Sequence, residues 1–364
     1  QTQYFDAFVV ALSQSCDGGK KRWYASTLEL QLASLDICRA CRSVSILHVR
    51  VKDATPRSLW SPHEEQTRPN PRGSKILKSS RVPVVRALRL TWALPMEDLL
   101  RIAAIELWTS SECLELEGPL CAASLGSVEW PRGLTQLVLV ASFGISIHDV
   151  SWPMHLLRLA FGNFNQPIDG VAWPASLEQL SFGNFFDQPL DGVTWSASLQ
   201  RLSFGEVFNQ PIAGVAWPAS LEQLSFGGRF DQPLDGVAWP ASLEQLSFGE
   251  FFSQPIAGVV WPASLQRLSF GWRFNQPIAG VVWPASLQRL SFGNWFNQPI
   301  DGVSIAGVAW PASLQQLSFG KFFNQPIAGV VWPASLQRLS FGERFNQPIA
   351  GVAWPASLEQ LSFG

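Results

Sequence analysis

Beyond Leu156 the chain contains no histidine, cysteine, tyrosine or methionine. That long stretch lacks the commonest general base, the thiol nucleophile and every nitrogen or sulfur metal ligand, so catalysis there would have to rest on carboxylates and hydroxyls. Charge is scarce as well. Only 15% of the 364 residues are Asp, Glu, Lys or Arg and the formal net charge is −2, so no basic field recruits nucleic acid and no acidic run acts as a solvating tail. No apolar run reaches the roughly 18 residues of a membrane-spanning helix, and the opening QTQYFDAFVVALSQ has no basic-then-apolar secretory pattern. The five cysteines (Cys16, Cys38, Cys41, Cys113, Cys121) are odd in number and confined to the first third, and no N-x-Ser/Thr sequon occurs. These features argue against a disulfide-stapled secreted scaffold and predict an intracellular, cytoplasmic address. The first residue is Gln, which predicts that the chain is a piece of a longer protein.

What the sequence has in excess is rings, with 17 Trp and 25 Phe. They recur on a fixed period. Counting each repeat from a Trp at position 0, the markers run from Trp130 through Trp152, Trp173, Trp195, Trp217, Trp239, Trp261, Trp283, Trp310 and Trp332 to Trp354, at spacings of 22 residues apart from one of 21 and one of 27. Leu stands at +4 and +7, Phe at +9 and +13, Ile or Leu at +17 and usually Val at +20. The alternation in L-x-x-L-x-F predicts a short strand at +6 to +9, with +7 and +9 inward and +6 and +8 outward. Pro at +1 and +16 and Gly at +10 and +19 bar a regular helix from the return path, which is expected to be turns and short irregular pieces. Each repeat is then one coil, paired in parallel with its neighbours about 4.7–4.9 Å away. A single coil cannot bury enough apolar area to offset the cost of ordering it, and only stacking turns one-sided burial into a continuous core. The 21- and 27-residue spacings, the second a duplicated I-x-G-V-x unit within IDGVSIAGVAW, read as edits to a loop and not to the core.

Four segments follow. Residues 1–51 are expected to hold helix and strand, including a strand at SILHVRV, and to form degenerate capping repeats; 52–82 is a slightly basic Pro/Ser/Arg-rich linker or insertion; 83–127 holds degenerate repeats with strands at VRALRL and CLELEG and a helix at PMEDLLRIAAIEL; and 128–364 is the array of about eleven coils.

The recurring WPASLQRLSFG..FNQPI resembles the FNIP repeat, a relative of the leucine-rich repeat with the pattern L-P-x-S-L-x-x-L-x-F-G-x-x-F-N-x-P-I, with Trp here in place of the usual Leu at position 0. The resemblance covers about 128–364. It implies a leucine-rich-repeat-like solenoid with one short parallel strand per coil and helices confined to the N-terminal region. It also implies a surface for binding other proteins, often joined to an F-box or another signalling module. The segment LPMEDLLRIAAIEL (94–107) is similar to the opening of an F-box, against which stands a plain helix inside a capping repeat.

The candidate residues sort by position. Carboxylates recur at +5 (Glu178, Glu222, Glu244, Glu359) and +18 (Asp169, Asp191, Asp235, Asp301), but repeated environments cannot separate two pKa values as an acid/base pair requires, and the expectation is no catalytic site and no enzyme. Cys38 and Cys41 form a CxxC with Cys16 and His48 as conceivable fellow ligands, yet no second close pair completes a zinc set, so no metal or cofactor is expected. Asn at +14 (Asn209, Asn275, Asn297, Asn324 and Asn346 among them) is read as a structural ladder satisfying backbone groups where the coil turns, against a calcium site that would need more converging oxygens. The Trp file (Trp173, Trp217, Trp239, Trp261, Trp283) is read as buried core, against an exposed file suited to sugar faces in a carbohydrate-binding module.

Positions +11 and +12 differ from coil to coil while Gly +10 and Phe +13 hardly change, so Arg229, Trp272, Arg273, Trp295, Lys321 and Arg344 are candidate contact residues, with neutral drift as the competing reading. Arg267 and Arg289 stand at +6 of consecutive coils, where an acidic partner would relieve their repulsion, as would solvent. The function expected is a non-catalytic protein-binding scaffold whose partner is another protein, with no nucleic acid and no membrane. A ubiquitin-ligase adaptor, were an F-box to precede residue 1, is the alternative. A chain stopping at LSFG is also expected to self-associate end to end.

Overall fold

The structure is a computed structural model, and it describes residues 46–51, 87–92, 111–117, 125–126, 128–143, 146–300 and 308–364. The CxxC pair with Cys16, the linker at 52–82 and the helix expected at 95–107 lie outside the described residues, as does the F-box-like segment. Two compact units divide the chain: Gln1–Pro119 with Glu129–Leu134, and Leu120–Val128 with Thr135–Gly364.

The first unit carries three parallel strands, β1 (Ile46–Val51), β2 (Ala87–Trp92) and β3 (Cys113–Glu117), with β1 pairing β2 and β2 pairing β3. They fall on SILHVRV, VRALRL and CLELEG. In β3, Leu114 and Leu116 are fully buried, as the period-2 pattern requires.

The second unit is the array, β4 (Gln136–Phe143), β5 (Arg158–Phe164), β6 (Gln179–Ser181), β7 (Arg201–Ser203), β8 (Gln223–Ser225), β9 (Gln245–Ser247), β10 (Arg267–Ser269), β11 (Arg289–Ser291), β12 (Gln316–Ser318), β13 (Arg338–Phe341) and β14 (Gln360–Phe363). Each pairs in parallel with the next, and the register matches repeat positions: Leu246 faces Leu268, which faces Leu290. Strands β6 to β12 are one residue shorter than the pattern predicts, ending at the +8 Ser. The +9 amide still joins the ladder, because Phe248 donates to the Ser269 carbonyl at 3.0 Å and its equivalents do the same. From Val128 onward no helix occurs among the described residues.

Inside the coils the apolar positions close into columns. Leu +4 and Phe +13 are almost wholly buried along the array, for example Leu243 and Phe252 at 0% exposure. Phe +9 and Phe +13 of one coil stack 4.1 Å apart, as in Phe248 and Phe252. Between coils the spacing of equivalent ring centroids is the local rise of the solenoid, and it grows across the coil. Phe226 and Phe248 at +9 lie 5.8 Å apart, Phe230 and Phe252 at +13 lie 6.1 Å apart, and Trp239 and Trp261 lie 6.4 Å apart. Strands are held about 4.8 Å apart by their hydrogen bonds. The coil spacing therefore widens away from the strands, and the array bends toward its strand face.

The 27-residue coil leaves this geometry intact. Phe292 and Phe319 are 5.7 Å apart, Phe296 and Phe323 are 6.0 Å apart, and β11 keeps its register with β12. Both Phe columns continue across this spacing, as a loop edit should allow.

Two glycines per coil serve different ends. At +10, a Cβ on Gly249 would overlap the Gly227 carbonyl, so only hydrogen permits the close approach of coils there. At +19, Gly258 has open space around it but a φ of +82°, which side-chain-bearing residues rarely adopt.

A further ladder ties the +14 positions. The Asn209 Oδ1 accepts from the Asp231 amide, and Asn275, Asn297 and Asn324 accept in turn from the amides of Asn297, Asn324 and Asn346, at 2.8–2.9 Å. Gln at +15 adds a bond from its Nε2 to the same residue, as from Gln298 to the Asn275 carbonyl at 2.9 Å. Ser +3 hydroxyls bridge coils too, Ser264 donating to the Leu243 carbonyl at 2.7 Å. The +14 chain runs from Asn165 to Ser253 and resumes at Asn275. Ser253 is too short to present an oxygen to the Asn275 amide. Replacing it, Ser253→Asn, is predicted to close the gap and raise stability by about 0.5–1.5 kcal/mol, read as an upward shift of the urea midpoint. An unchanged or lowered midpoint would show that the ladder contributes nothing.

Candidate functional site

Two surfaces of the array gather the polar and charged side chains that the core excludes. The first is the strand face. Residues +6 and +8 point away from the core, so their side chains from β4 to β14 line one continuous open trough of about 890 Å³. From β6 onward its floor carries a file of Ser hydroxyls at +8, with hydrogen bonds between neighbours such as Ser181 and Ser203 or Ser340 and Ser318, while Val138 and Ala160 hold that position on β4 and β5. Its +6 file is Gln or Arg in every coil, and Arg267 and Arg289 sit directly opposite in register.

The second surface is the strip of turns that follows the strands. Its backbone is a ladder in its own right, each +12 amide donating to the +11 carbonyl of the preceding coil, as Arg273 to Glu250 at 2.8 Å and Trp295 to Trp272 at 2.9 Å. Arginines and aromatic rings share it. Position +12 reads Arg229, Phe251, Arg273, Trp295, Phe322, Arg344 in consecutive coils. The Arg273 guanidinium lies 4.2 Å from the Phe251 ring centroid and 5.7 Å from that of Trp295, and Arg344 lies 5.4 Å from Phe322. Beside them at +11, Lys321 pairs with Glu343 at 2.7 Å and holds that carboxyl below the usual carboxylate range, first through their hydrogen bond and then through charge. Arg229, Phe251, Arg273 and Trp295 border a shallow depression with Asp231 and Asn275.

The candidate residues thus fall in three places. Arg267 and Arg289 belong to the trough. Arg229, Arg273, Lys321 and Arg344 lie on the strip, the last three engaged with neighbouring coils, while Trp272 and Trp295 are 48% and 49% exposed. The Trp file lies inside: Trp217, Trp261 and Trp283 are 7–9% exposed, and Trp173 and Trp239 are half-buried. Their faces stack on one another, Trp261 on Trp283 at 6.5 Å, and so offer no open ring for a sugar. The carboxamide oxygens of the +14 Asn residues are occupied by amides of the next coil, which leaves little to coordinate calcium.

Sequence reasoning missed the pairing at +12, where Arg273 and Arg344 each lie beside an aromatic ring of a neighbouring coil. The signal was present, since reading +12 alone, without +11, shows it. Arg158, a further trough residue at +6, was also overlooked.

Among the described residues no group of three His, Cys, Asp or Glu side chains comes together as a metal site requires. Burial, and then the nearby Glu115, push the Cys113 thiol pKa up, the opposite of what an activated nucleophile needs. No described helix is long and apolar enough to cross a membrane.

The FNIP Repeat family matches residues 208–251, 252–295, 274–322, 296–343 and 323–364. These coils are FNIP repeats. No curated protein matches the chain. Among solved structures, CroV588, a circular LRR protein, is 29% identical over 78% of this chain and 50% of its own, with a TM-score of 0.55. The Drosophila Toll–Spatzle complex includes a chain 13% identical over 77% of this one and 40% of its own, with a TM-score of 0.54. The chain spans half or less of the length of either. The FNIP array is therefore a parallel-strand solenoid similar to leucine-rich-repeat proteins, a fold that typically serves interaction and is typically non-catalytic.

The strip yields its own test. Arg273→Ala is predicted to cost about 1 kcal/mol of stability, and a double-mutant cycle with Phe251→Leu should return a coupling of about 0.5–1 kcal/mol. Zero coupling would mean that the stacked geometry contributes no energy.

Proposed function

We propose that this protein is a non-catalytic scaffold that binds other proteins through the exposed faces of its FNIP array. The observation behind this reading is the continuous trough, whose outward residues are held in register by eleven parallel strands, β4 to β14. A surface fixed in this way before binding loses little conformational entropy when a partner docks. The exposed Trp272 and Trp295 on the adjoining strip are of the residue type that anchors protein interfaces, and the strip varies between coils where the core does not. Toll, which shares the fold, occurs in complex with Spatzle; that is a property of Toll, and the support here comes from the array's own surfaces.

The non-catalytic reading rests on repetition. Carboxylates at +5 and +18 meet the same surroundings in coil after coil, and acid/base chemistry needs two unlike environments. An intracellular address is proposed from the odd cysteine complement.

Affinity capture with the whole chain as bait tests the proposal when the wild type is compared with a trough variant, Arg267→Glu with Arg289→Glu, and a strip variant, Trp272→Ala with Trp295→Ala. Each variant is first checked for native circular dichroism. A discrete protein retained by the wild type and lost from one variant is the expected result. Identical captured sets for all three would remove both surfaces from the account and the scaffold role with them.

A further inference from the structure

We propose that the trough across β4 to β14 docks an extended, acidic segment of a partner protein, an inference that rests on the scaffold reading above and names the chemistry of its ligand. The chain as a whole is slightly acidic, with a formal net charge of −2. The trough departs from that balance: its lining includes Arg158, Arg201, Arg267, Arg289 and Arg338 and no carboxylate. All five arginines are exposed. Among the described residues three of the four strip cations are already engaged, Lys321 by Glu343 and Arg273 and Arg344 by aromatic rings, whereas none of the five trough guanidiniums is in an ion pair. Unneutralised positive charge is thus collected on one concave face.

The spacing favours an extended chain. The arginines stand on β5, β7, β10, β11 and β13, which at about 4.8 Å per strand spreads them over roughly 38 Å. A peptide of about 12 residues at roughly 3.3 Å each covers that length. Arg267 and Arg289, on adjacent strands in register, repel each other in the free protein and form the densest point of positive charge. Between the arginines the lining includes Ser hydroxyls and Gln carboxamides, uncharged groups able to hydrogen-bond a peptide backbone, together with Ala160 and the strand leucines.

A nucleic acid fits less well. The lining has no aromatic side chain on which a base could stack, and Glu178, Glu222, Glu244 and Glu359 stand one residue ahead of their strands, where they would repel a continuous phosphate backbone. Carboxylates spaced along a peptide can meet the arginines and avoid that margin.

The experiment uses the full chain and three fluorescein-labelled probes: a 12-residue peptide alternating Glu and Ser, its Gln–Ser counterpart, and a 12-nucleotide oligothymidylate. Fluorescence anisotropy at about 50 mM salt should show binding of the Glu–Ser peptide and not of the Gln–Ser peptide, weakening several-fold as added salt shortens the Debye length below about 8 Å. Arg267→Gln with Arg289→Gln should lower affinity about tenfold. The same variant should melt at or above the wild-type temperature, since it relieves a like-charge contact, so the loss of binding cannot be attributed to unfolding. Arg273→Gln with Arg344→Gln, on the strip, should leave peptide binding unchanged. The proposal is overturned if a folded chain fails to bind the Glu–Ser peptide, if the trough variant binds it unchanged, or if the oligothymidylate binds more tightly than the peptide. Should that happen while Trp272→Ala with Trp295→Ala still loses a captured protein, the scaffold reading survives and only the trough assignment falls.

Discussion

Everything in the array depends on one contact: the apolar face of each coil against the apolar face of the next. A coil by itself has two Phe rings stacked 4.1 Å apart, a Trp and several aliphatic side chains, but no layer above or below to exclude water from them. Adding the neighbour puts Phe252 between Phe230 and Phe274, each about 6 Å away, and takes it out of solvent altogether. The stabilisation lies between coils and not within them. Removing one such ring, at about 3–5 kcal/mol, would weaken two interfaces at once.

The same contact sets shape and surface. Hydrogen bonds hold the strands close while the ring columns of the return path lie farther apart, at 6.1 Å for Phe230 and Phe252 and 6.4 Å for Trp239 and Trp261, and the strand face becomes the inside of a bend. Glycine at +10 is required there because the coils come too close for a Cβ, as at Gly249. The +14 ladder and the +12 amides then satisfy the turns. Trp at position 0 enlarges the core but leaves indole N–H groups, such as those of Trp217 and Trp261, buried without an acceptor. Each such group costs about 1–3 kcal/mol, which burial of the large ring has to outweigh.

Much of this was legible in the sequence because repetition supplies its own alignment. Period, strand position, inward Leu246 and Phe248, and the loop character of the 27-residue spacing all follow from which letters stay fixed. What sequence could not supply was relation across coils at variable positions. Arg273 and Phe251 look like unrelated substitutions until the coils are superposed and one proves to lie over the other. The trough was legible only as a row of Gln, Arg and Ser; that it excludes carboxylates while Glu244 stands one residue away depends on which way each side chain leaves the strand. The degenerate strands β1, β2 and β3 could be recognised because alternation survives when the fixed letters have gone.

What repeats from coil to coil builds the frame of the array. The frame itself is open to a direct test by proton exchange at the indole nitrogens, followed by nuclear magnetic resonance in heavy water on protein labelled with ¹⁵N at tryptophan. A dry stacked column predicts a group of indole signals, those of Trp195, Trp217, Trp261, Trp283 and Trp332 among them, that persist long after the exposed Trp272 and Trp295 have vanished. Loss of all the indole signals together within the dead time would mean that water reaches the ladder, and the stacked-coil account would be wrong.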